Sequence, residues 1–336
     1  MCSAPGSLPI FPESRFFRMQ KSEQCVFSVD VEDWFHILDI AAAPDIACWS
    51  TLPSRVEANF QRLLDLFSEE GRRVTCFFVG WIAERFPHLV REAVARGHEI
   101  ASHGYAHRLA YSMTRSEFRS DALRSRLLLE DISGTAVIGY RAAGFSSTEA
   151  TPWFFSELCA SGYLYDSSVF PAWHGHGGSP KSPLRPHFVA GQALIELPAS
   201  VAEIGPTRMC FFGGGYLRLF PYRIIRYMGR RLMANGAPLI FYIHPREIDP
   251  QHPRLPMPYG RRFKSYVNLH TTERKIRHII RDFPVTTCRD FLFGSASELR
   301  YKKPEPTTIM KTDVMTNRTG DERHRTSVSQ PWRVGT

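Results

Sequence analysis

The amino-acid sequence predicts an α/β fold with parallel strands: a (β/α) barrel of about six or seven strands, with an open doubly wound sheet as the alternative. Short apolar runs typical of buried strands alternate with stretches whose apolar residues recur at helical spacing. Such an alternation indicates parallel strands joined by crossover helices. No glycine-rich phosphate loop follows the first apolar run, so the sequence gives no support to a nucleotide-binding sheet.

The first half of the chain carries the more regular pattern. Cys25 to Val31 is short, apolar and β-branched, which predicts a buried strand. Gly71 and Gly97 follow two amphipathic stretches and act as helix stop signals. The predicted strands cover residues 25–31, 74–79, 98–102 and 136–140, and the predicted helices cover 53–70, 81–96 and 114–131.

The second half is less regular. It has predicted strands at 194–197 and 239–243, predicted helices at 221–234 and 272–282, and a long loop rich in glycine, proline and histidine over 172–191. We divide the 336 residues into an N-terminal extension (1–23), a folded domain (24–298) and a disordered basic tail (299–336), which is polar and without periodicity.

Composition narrows the class of protein. Hydrophobic residues make up 43% and charged residues 22%, which is typical of a globular enzyme. Because the sequence has neither an apolar run of about 18 residues nor a signal-like start, we expect no transmembrane segment and a cytoplasmic location, at the inner membrane face as an alternative. Of the net charge of +9, +4 lies in residues 300–336 and the remaining +5 is spread over the rest of the chain, so nucleic acid is not a predicted partner. The seven scattered cysteines predict reduced thiols.

Polar residues stand at the ends of four predicted strands, where a (β/α) barrel places its catalytic groups. Asp30 and Glu32 are two residues apart and share a strand face, which suits a metal ligand beside a general base. His103 and His107 follow another strand, at a spacing that can hold a divalent metal. Helix capping and unrelated surface histidines are the alternative interpretations of these two patterns taken singly.

Two further strand ends carry a cation and an imidazole. Arg141 follows the fourth strand and can orient a neighbouring carboxylate. His244 follows five apolar residues, a position from which it can donate a proton in the mouth of a barrel. Taken singly, a surface arginine and a satisfied core histidine fit equally well.

Together, and in this order, these motifs resemble the polysaccharide deacetylases, a family that includes chitooligosaccharide and peptidoglycan deacetylases. The chain looks more specifically like the subfamily associated with exopolysaccharide loci of exosortase systems. The marks of that subfamily are residues 30–35 (DVEDWF), 165–168 (YDSS), 213–218 (GGGYLR) and 242–249 (YIHPREID). The resemblance covers roughly residues 24–293 and implies a distorted (β/α) barrel of about seven parallel strands, with residues 24–298 as the catalytic domain.

The resemblance also implies roles for single residues. Asp30 would be the general base held by Arg141, and His244 the general acid, supported or tuned by Asp166. His103, His107 and a second acid of the first motif would bind the metal. Since Val31 separates the two acids that are adjacent in most of the family, that ligand could be Glu32 or Asp33, and we prefer Glu32 because it shares the face of Asp30.

The function implied is metal-dependent removal of N-acetyl groups from amino sugars of a polysaccharide or its lipid-linked precursor. Zinc is the default metal, and two histidines with one carboxylate also accommodate cobalt, nickel or iron. Trp34, Tyr105 and Phe145 are candidates for a sugar platform, with a place in the core as the alternative. The rival functions are hydrolysis of a small cyclic or linear amide and an inactive carbohydrate-binding relative. The sequence leaves the oligomeric state open.

Overall fold

A mostly parallel sheet forms the centre of the fold in the computed structural model, which describes residues 24–294. The strands are β1 Cys25–Val31, β2 Thr75–Phe78, β3 Glu99–Ser102, β4 Gly139–Tyr140, β5 Tyr165–Asp166, β6 His187–Phe188, β7 Ile195–Glu196, β8 Ala202–Ile204, β9 Thr207–Met209, β10 Ile240–Ile243 and β11 Val285–Thr286. Nine of these strands make one sheet in the order β10-β1-β2-β3-β4-β5-β7-β6, with β11 pairing beside β1. In this sheet only the pair of β6 and β7 is antiparallel, and the other two strands form a separate hairpin, β8-β9.

Helices join successive strands and cover the outer face of the sheet. They are α1 Ile46–Trp49, α2 Val56–Glu69, α3 Gly80–Arg85, α4 Pro87–Ala95, α5 Arg115–Ser133, α6 Phe154–Ala160, α7 Gly214–Leu219, α8 Tyr222–Ala234, α9 Tyr259–Tyr266, α10 Thr272–Asp282 and α11 Cys288–Phe293. Short 3-10 turns follow β1 at Trp34–His36 and β10 at Pro245–Ile248. In the described residues, no helix has both the length and the apolar composition that crossing a bilayer requires.

The sheet curls into a distorted (β/α) barrel, as the sequence predicts. Seven parallel strands run from β10 to β7, and the gap between these two ends is bridged by the segment after β7. Ser200 Oγ accepts a hydrogen bond from the backbone N–H of Ile240 at 2.9 Å, and Phe212 O accepts one from the N–H of Tyr242 at 3.2 Å. Gly213 is required at this seam because a Cβ there would lie 2.0 Å from the ring of Tyr242.

Residues of β1 alternate between two environments and thereby position the site. The odd-numbered residues 25–31 pack in the main core with the helices. The even-numbered ones face the barrel interior, beginning with Val26 in the small inner cluster and continuing with Ser28 and Asp30. The interior thus changes from apolar to polar toward the carboxyl ends of the strands.

Most predicted elements are present, and the differences have local causes. The predicted helix over 81–96 is two helices, α3 and α4, because Pro87 lacks an N–H and begins a new helix after Phe86 leaves the helical conformation. The predicted loop over 172–191 contains the short strand β6. The sequence analysis does not predict several short elements, each of eight residues or fewer: helices α1, α6, α7, α9 and α11, strands β5 and β11, and the hairpin β8-β9. The predicted extension and tail lie outside the described residues.

Candidate active site

The carboxyl ends of β1, β3, β4 and β10 meet in one cleft of about 120 Å³ that opens to solvent. Its walls include Asp30, Glu32, His103, His107 and His244, which the sequence predicts as site residues. Arg141 lies directly behind the cleft and contacts Asp30. The structure therefore brings together the four strand ends that the sequence singled out.

Glu32, His103 and His107 form the candidate metal site. Oε1 of Glu32 lies 3.1 Å from Nε2 of His103 and 2.9 Å from Nε2 of His107, and all three side chains are buried. Nδ1 of His103 lies 2.7 Å from the carbonyl oxygen of Arg141, so this nitrogen carries the proton and Nε2 keeps its lone pair. Two imidazole nitrogens and one carboxylate oxygen are a donor set that fits a divalent cation with open positions for water or substrate.

The surroundings of these ligands favour the charged form of Glu32. Burial alone would raise the pKa of Glu32, but the neighbouring His107 and His244 lower it well below its ordinary value. His107 adopts a left-handed backbone with φ of 49°, a conformation that a non-glycine residue keeps only where its surroundings enforce it.

Asp33, the alternative ligand, points away from the histidines and caps two helical segments. Its carboxylate accepts hydrogen bonds from Trp34 N at 2.8 Å, Ser54 Oγ at 2.5 Å and Arg55 N at 3.0 Å. Arg55 also binds Asp249, through Nε at 2.6 Å and Nη2 at 3.0 Å. The N-terminus of α2 therefore connects the loop after β1 with the loop after β10.

Asp30 is held by Arg141 in a buried pair, with Nη1 of the arginine 2.6 Å from Oδ1. Both side chains are no more than 2% exposed. The remaining donors of Arg141 bind Ser28 Oγ at 2.8 Å, Ser167 O at 3.2 Å and Ser167 Oγ at 3.1 Å. A guanidinium fixed at this many points orients Asp30 and leaves Oδ2 facing the cleft side, 3.9 Å from Nε2 of His244.

His244 stands opposite Asp30 and has a carboxylate partner of its own. Its Nε2 lies 3.5 Å from Oε1 of Glu32, and its Nδ1 lies 2.6 Å from Oε1 of Glu247. Burial alone would lower the pKa of His244, but Glu32 and Glu247 raise it. Burial alone would raise the pKa of Glu247, but the nearby Arg218 and the bond from His244 lower it to about 2. His244 is thus held in an environment that favours the protonated ring.

The sequence does not single out Glu247 and assigns its place to Asp166. Asp166 lies inside the barrel on β5, where it accepts from Ser168 Oγ at 2.6 Å and stands beside Glu196 of β7 in register. Among the described residues it forms no hydrogen bond with His244. The feature of the sequence that could have indicated Glu247 is its spacing from His244. A residue three positions after His244 returns to the same side of a 3-10 turn.

Of the three predicted platform residues, only Phe145 lines the cleft. Trp34 packs against Phe35 and donates its indole N–H to Pro53 O at 2.9 Å, away from the cleft. Tyr105 turns outward and donates its hydroxyl to Glu84 at 2.6 Å.

The cleft also contains polar residues that the sequence analysis did not single out: His36, Arg246, Arg261 and Lys264. Nδ1 of His36 accepts the backbone N–H of Asp33 at 2.8 Å, so a neutral ring carries its proton on Nε2. That Nε2 is buried and has no hydrogen-bond partner in the described residues. Burial and the nearby His107 lower the pKa of His36 well below its ordinary value. His36 is therefore a neutral N–H donor beside the candidate metal site.

Comparison with known proteins adds an independent observation. Residues 45–158, which hold His103, His107 and Arg141, match the polysaccharide deacetylase family. Residues 167–292, which hold His244 and Glu247, match a domain of unknown function, DUF3473. The deacetylase segment thus carries two candidate metal ligands, and the uncharacterised segment carries the candidate acid.

A peptidoglycan deacetylase of Helicobacter pylori is 32% identical over 113 residues, which are 34% of this chain and 38% of that protein. The chain spans only 27% to 38% of the length of the curated relatives it matches. Among solved structures, a probable polysaccharide deacetylase from Pseudomonas aeruginosa PAO1 aligns with a TM-score of 0.52 at 18% identity, over 83% of this chain and 92% of that one. An allantoinase aligns with a TM-score of 0.51 at 17% identity, over 83% and 91%. At these identities, the structural similarities show that the chain shares its fold with these two proteins.

Proposed function

We propose that the protein is a divalent-metal-dependent hydrolase that removes N-acetyl groups from amino sugars of a polysaccharide or its precursor. One observation carries the proposal. The metal-ligand set of Glu32, His103 and His107 lies in the same cleft as the carboxylate of Asp30 and the imidazole of His244, whose Oδ2 and Nε2 are 3.9 Å apart. The family of residues 45–158 and the named activity of the Helicobacter pylori relative agree with this chemistry.

Amide hydrolysis needs a base to activate water and an acid to protonate the leaving nitrogen. Asp30 takes the proton from the attacking water, and Arg141 keeps its carboxylate in place during the transfer. His244 gives its proton from Nε2 to the departing sugar nitrogen, and Glu247 holds the ring through Nδ1. The products are acetate and a free amine. A divalent cation held by Glu32 and the two histidines would supply Lewis-acid polarisation of the acetyl carbonyl and of the water.

The finer parts of the proposal concern the metal and the substrate. Zinc is the first candidate, and the same ligands also accept cobalt, nickel or iron. From the residue motifs at 30–35 and 242–249 we infer an association with exopolysaccharide loci of the exosortase type, with either the polysaccharide or its lipid-linked precursor as the substrate. The cytoplasmic location stays a prediction.

The test is release of acetate from N-acetylglucosamine oligomers by the full chain, first stripped of metal and then supplied with Zn²⁺ or Co²⁺. We expect release that depends on added metal and one bound cation per chain. His107→Ala should lose both the cation and the activity. The matched control is His88→Ala, since His88 is an exposed histidine paired with Glu57 that does not line the cleft, and its loss should leave both unchanged.

Two other outcomes would change the conclusion. If one cation binds through His107 but no acetate is released, the site stands and the substrate is another acylated sugar or a small cyclic amide. If no cation binds and nothing is hydrolysed, the proposal is wrong and a carbohydrate-binding role without catalysis becomes the better explanation.

A further inference from the structure

Three cationic side chains on one side of the cleft lack a negative partner. Arg246 follows His244 in the 3-10 turn after β10, and Arg261 and Lys264 lie on α9. All three line the cleft beside the candidate metal site. None of them forms an ion pair with a carboxylate of the described residues.

Of the three cations, Arg246 has the most buried nitrogens without a hydrogen-bond partner in the described residues. Its Nε and Nη1 atoms are buried without a hydrogen-bond partner in the part of the chain that the structure describes. Arg261 donates through Nη2 to Leu38 O at 3.0 Å and contacts His176 at 3.2 Å, but its Nε is buried without a partner in the same residue range. Lys264 lies with Nζ 4.8 Å from the ring centre of Tyr216.

The carboxylates near these cations are already bound to other groups. Asp30 pairs with Arg141, Glu32 with the two candidate ligand histidines, and Glu247 with His244. On the outer side of the cleft, Asp39 contacts the ring of His176. Burial, followed by repulsion from a neighbouring arginine, lowers the pKa of both Arg261 and Lys264, and Asp39 offsets only part of this effect on Arg261.

Buried guanidinium nitrogens without partners are costly in a folded protein, and arginine pairs in forked geometry with carboxylates and phosphates. Elsewhere in this chain, Arg141 and Arg55 have the usual arrangement, because each forms an ion pair with a carboxylate. The cations at 246, 261 and 264 instead face open space where substrate would lie. They all belong to the segment of unknown function, residues 167–292, and not to the deacetylase segment.

We propose that Arg246, Arg261 and Lys264 form a subsite for an anionic group, a carboxylate or a phosphate, on the amino-sugar substrate. The inference rests on the proposed deacetylation and narrows its substrate class to acidic glycans or phosphorylated sugars. Because Arg246 is two residues from His244, the anion lies on the side of the cleft where the sugar nitrogen departs.

The experiment compares kcat/KM for acetate release by the full chain on matched substrate pairs. For the carboxylate, a tetrasaccharide alternating N-acetylglucosamine with glucuronate is compared with the N-acetylglucosamine tetramer. For the phosphate, N-acetylglucosamine 1-phosphate is compared with N-acetylglucosamine. We expect at least one anionic substrate to exceed its neutral partner by about 10-fold or more, the effect of one good ion pair, and the pair that does so identifies the source.

Variants of Arg261 and Lys264 test whether a preference for anionic substrates depends on the proposed subsite. Arg261→Gln and Lys264→Met should each reduce the ratio of anionic to neutral kcat/KM several-fold, and Arg261→Lys should keep most of it. The matched control is Arg262→Gln, because Arg262 is an exposed arginine on the same helix that does not line the cleft. Thermal melting of each variant separates a loss of folding from a loss of recognition.

The inference and the proposed function fail in different ways. Acetate release with equal kcat/KM on anionic and neutral partners, unaltered by Arg261→Gln, would overturn the anion subsite and leave the deacetylase. If no substrate releases acetate, the subsite is tested by binding instead. Calorimetry then measures the affinity of the metal-loaded protein for the glucuronate tetrasaccharide and for N-acetylglucosamine 1-phosphate. An affinity that Arg261→Gln leaves unaltered, or no binding of either, would then overturn the subsite.

Discussion

Glu247→Gln tests the proposed acid most directly, since Glu247 binds Nδ1 of His244 and leaves Nε2, the nitrogen of the proposed proton transfer, in place. A unit charge about 4 Å from an imidazolium contributes about 4 kcal/mol at an effective dielectric constant near 20, so removing the charge of Glu247 lowers the pKa of His244. Glutamine keeps an acceptor oxygen for the Nδ1–H. We therefore expect the alkaline limb of the kcat/KM profile to move down by about 1–2 pH units, because the acid loses its proton earlier.

The assay is acetate release by the metal-loaded chain between pH 5 and 10, on whichever oligomer is turned over. Glu203→Gln is the matched control, since Glu203 is an exposed glutamate on the hairpin and should leave the profile in place. An alkaline limb at the same pH in Glu247→Gln and in the wild type, with turnover retained, would refute the assignment of His244 as the acid supported by Glu247.

Stability gives a second readout of the same change that needs no substrate. The pKa of Glu247 is about 2 against an ordinary 4.5, which corresponds to about 3 kcal/mol of folding free energy at neutral pH. Since a lowered pKa stabilises above the unfolded value and loses that contribution as pH falls, the wild type should exceed Glu247→Gln in urea unfolding at pH 7. The difference should begin to shrink below about pH 4.5 and be lost as the pH falls through the folded-state pKa of about 2.

The remaining predictions concern other residues. Asp30→Asn should keep the bound cation and lose about 10²–10⁴-fold in kcat, the usual contribution of a general base; full activity would exclude that role. Burial raises the pKa of Asp166 from 3.8 to about 6, so its contribution to stability is lost as pH rises through that range. Relative to Asp166→Asn, the wild type should therefore lose unfolding free energy from pH 4 to 6, and a difference that is constant with pH would contradict this. Gly139→Ala places a Cβ 2.1 Å from the ring of Tyr165 and should cost about 3 kcal/mol in urea unfolding, whereas Gly175→Ala, with no atom within 4 Å, should cost far less.

The sequence predicts the first strand and its site residues well because both follow the two-residue repeat of a β-strand. Residues 25–31 match the observed β1, and the two-residue repeat that places Val26 inside the barrel also places Asp30 there. The same argument favours Glu32 over Asp33, and the structure places Glu32 with the histidines. Strand alternation of this kind is fixed by backbone geometry and needs no knowledge of distant contacts.

Contacts between distant segments explain what the sequence analysis missed. Strand β5 has only two residues, so no periodicity indicates that Asp166 faces Glu196 across the sheet rather than His244. Arg261 and Lys264 reach the cleft from α9, a short polar helix whose docking depends on tertiary packing. Trp34 and Tyr105 lie next to motif residues in sequence, but the turns that carry them direct their rings elsewhere.

The N-terminus of α2 has a consequence for how this protein can change over evolution. Asp33 adjoins the candidate ligand Glu32 and binds Ser54 and the backbone of Arg55, while the Arg55 side chain binds Asp249, two residues beyond Glu247. The start of α2 therefore supports both the metal side and the acid side of the cleft, although Asp33, Ser54 and Arg55 do not line it. Substitutions at residues 54 and 55 should be tolerated only in combination with compensating substitutions at 33 or 249. These four positions are thus expected to covary among homologues.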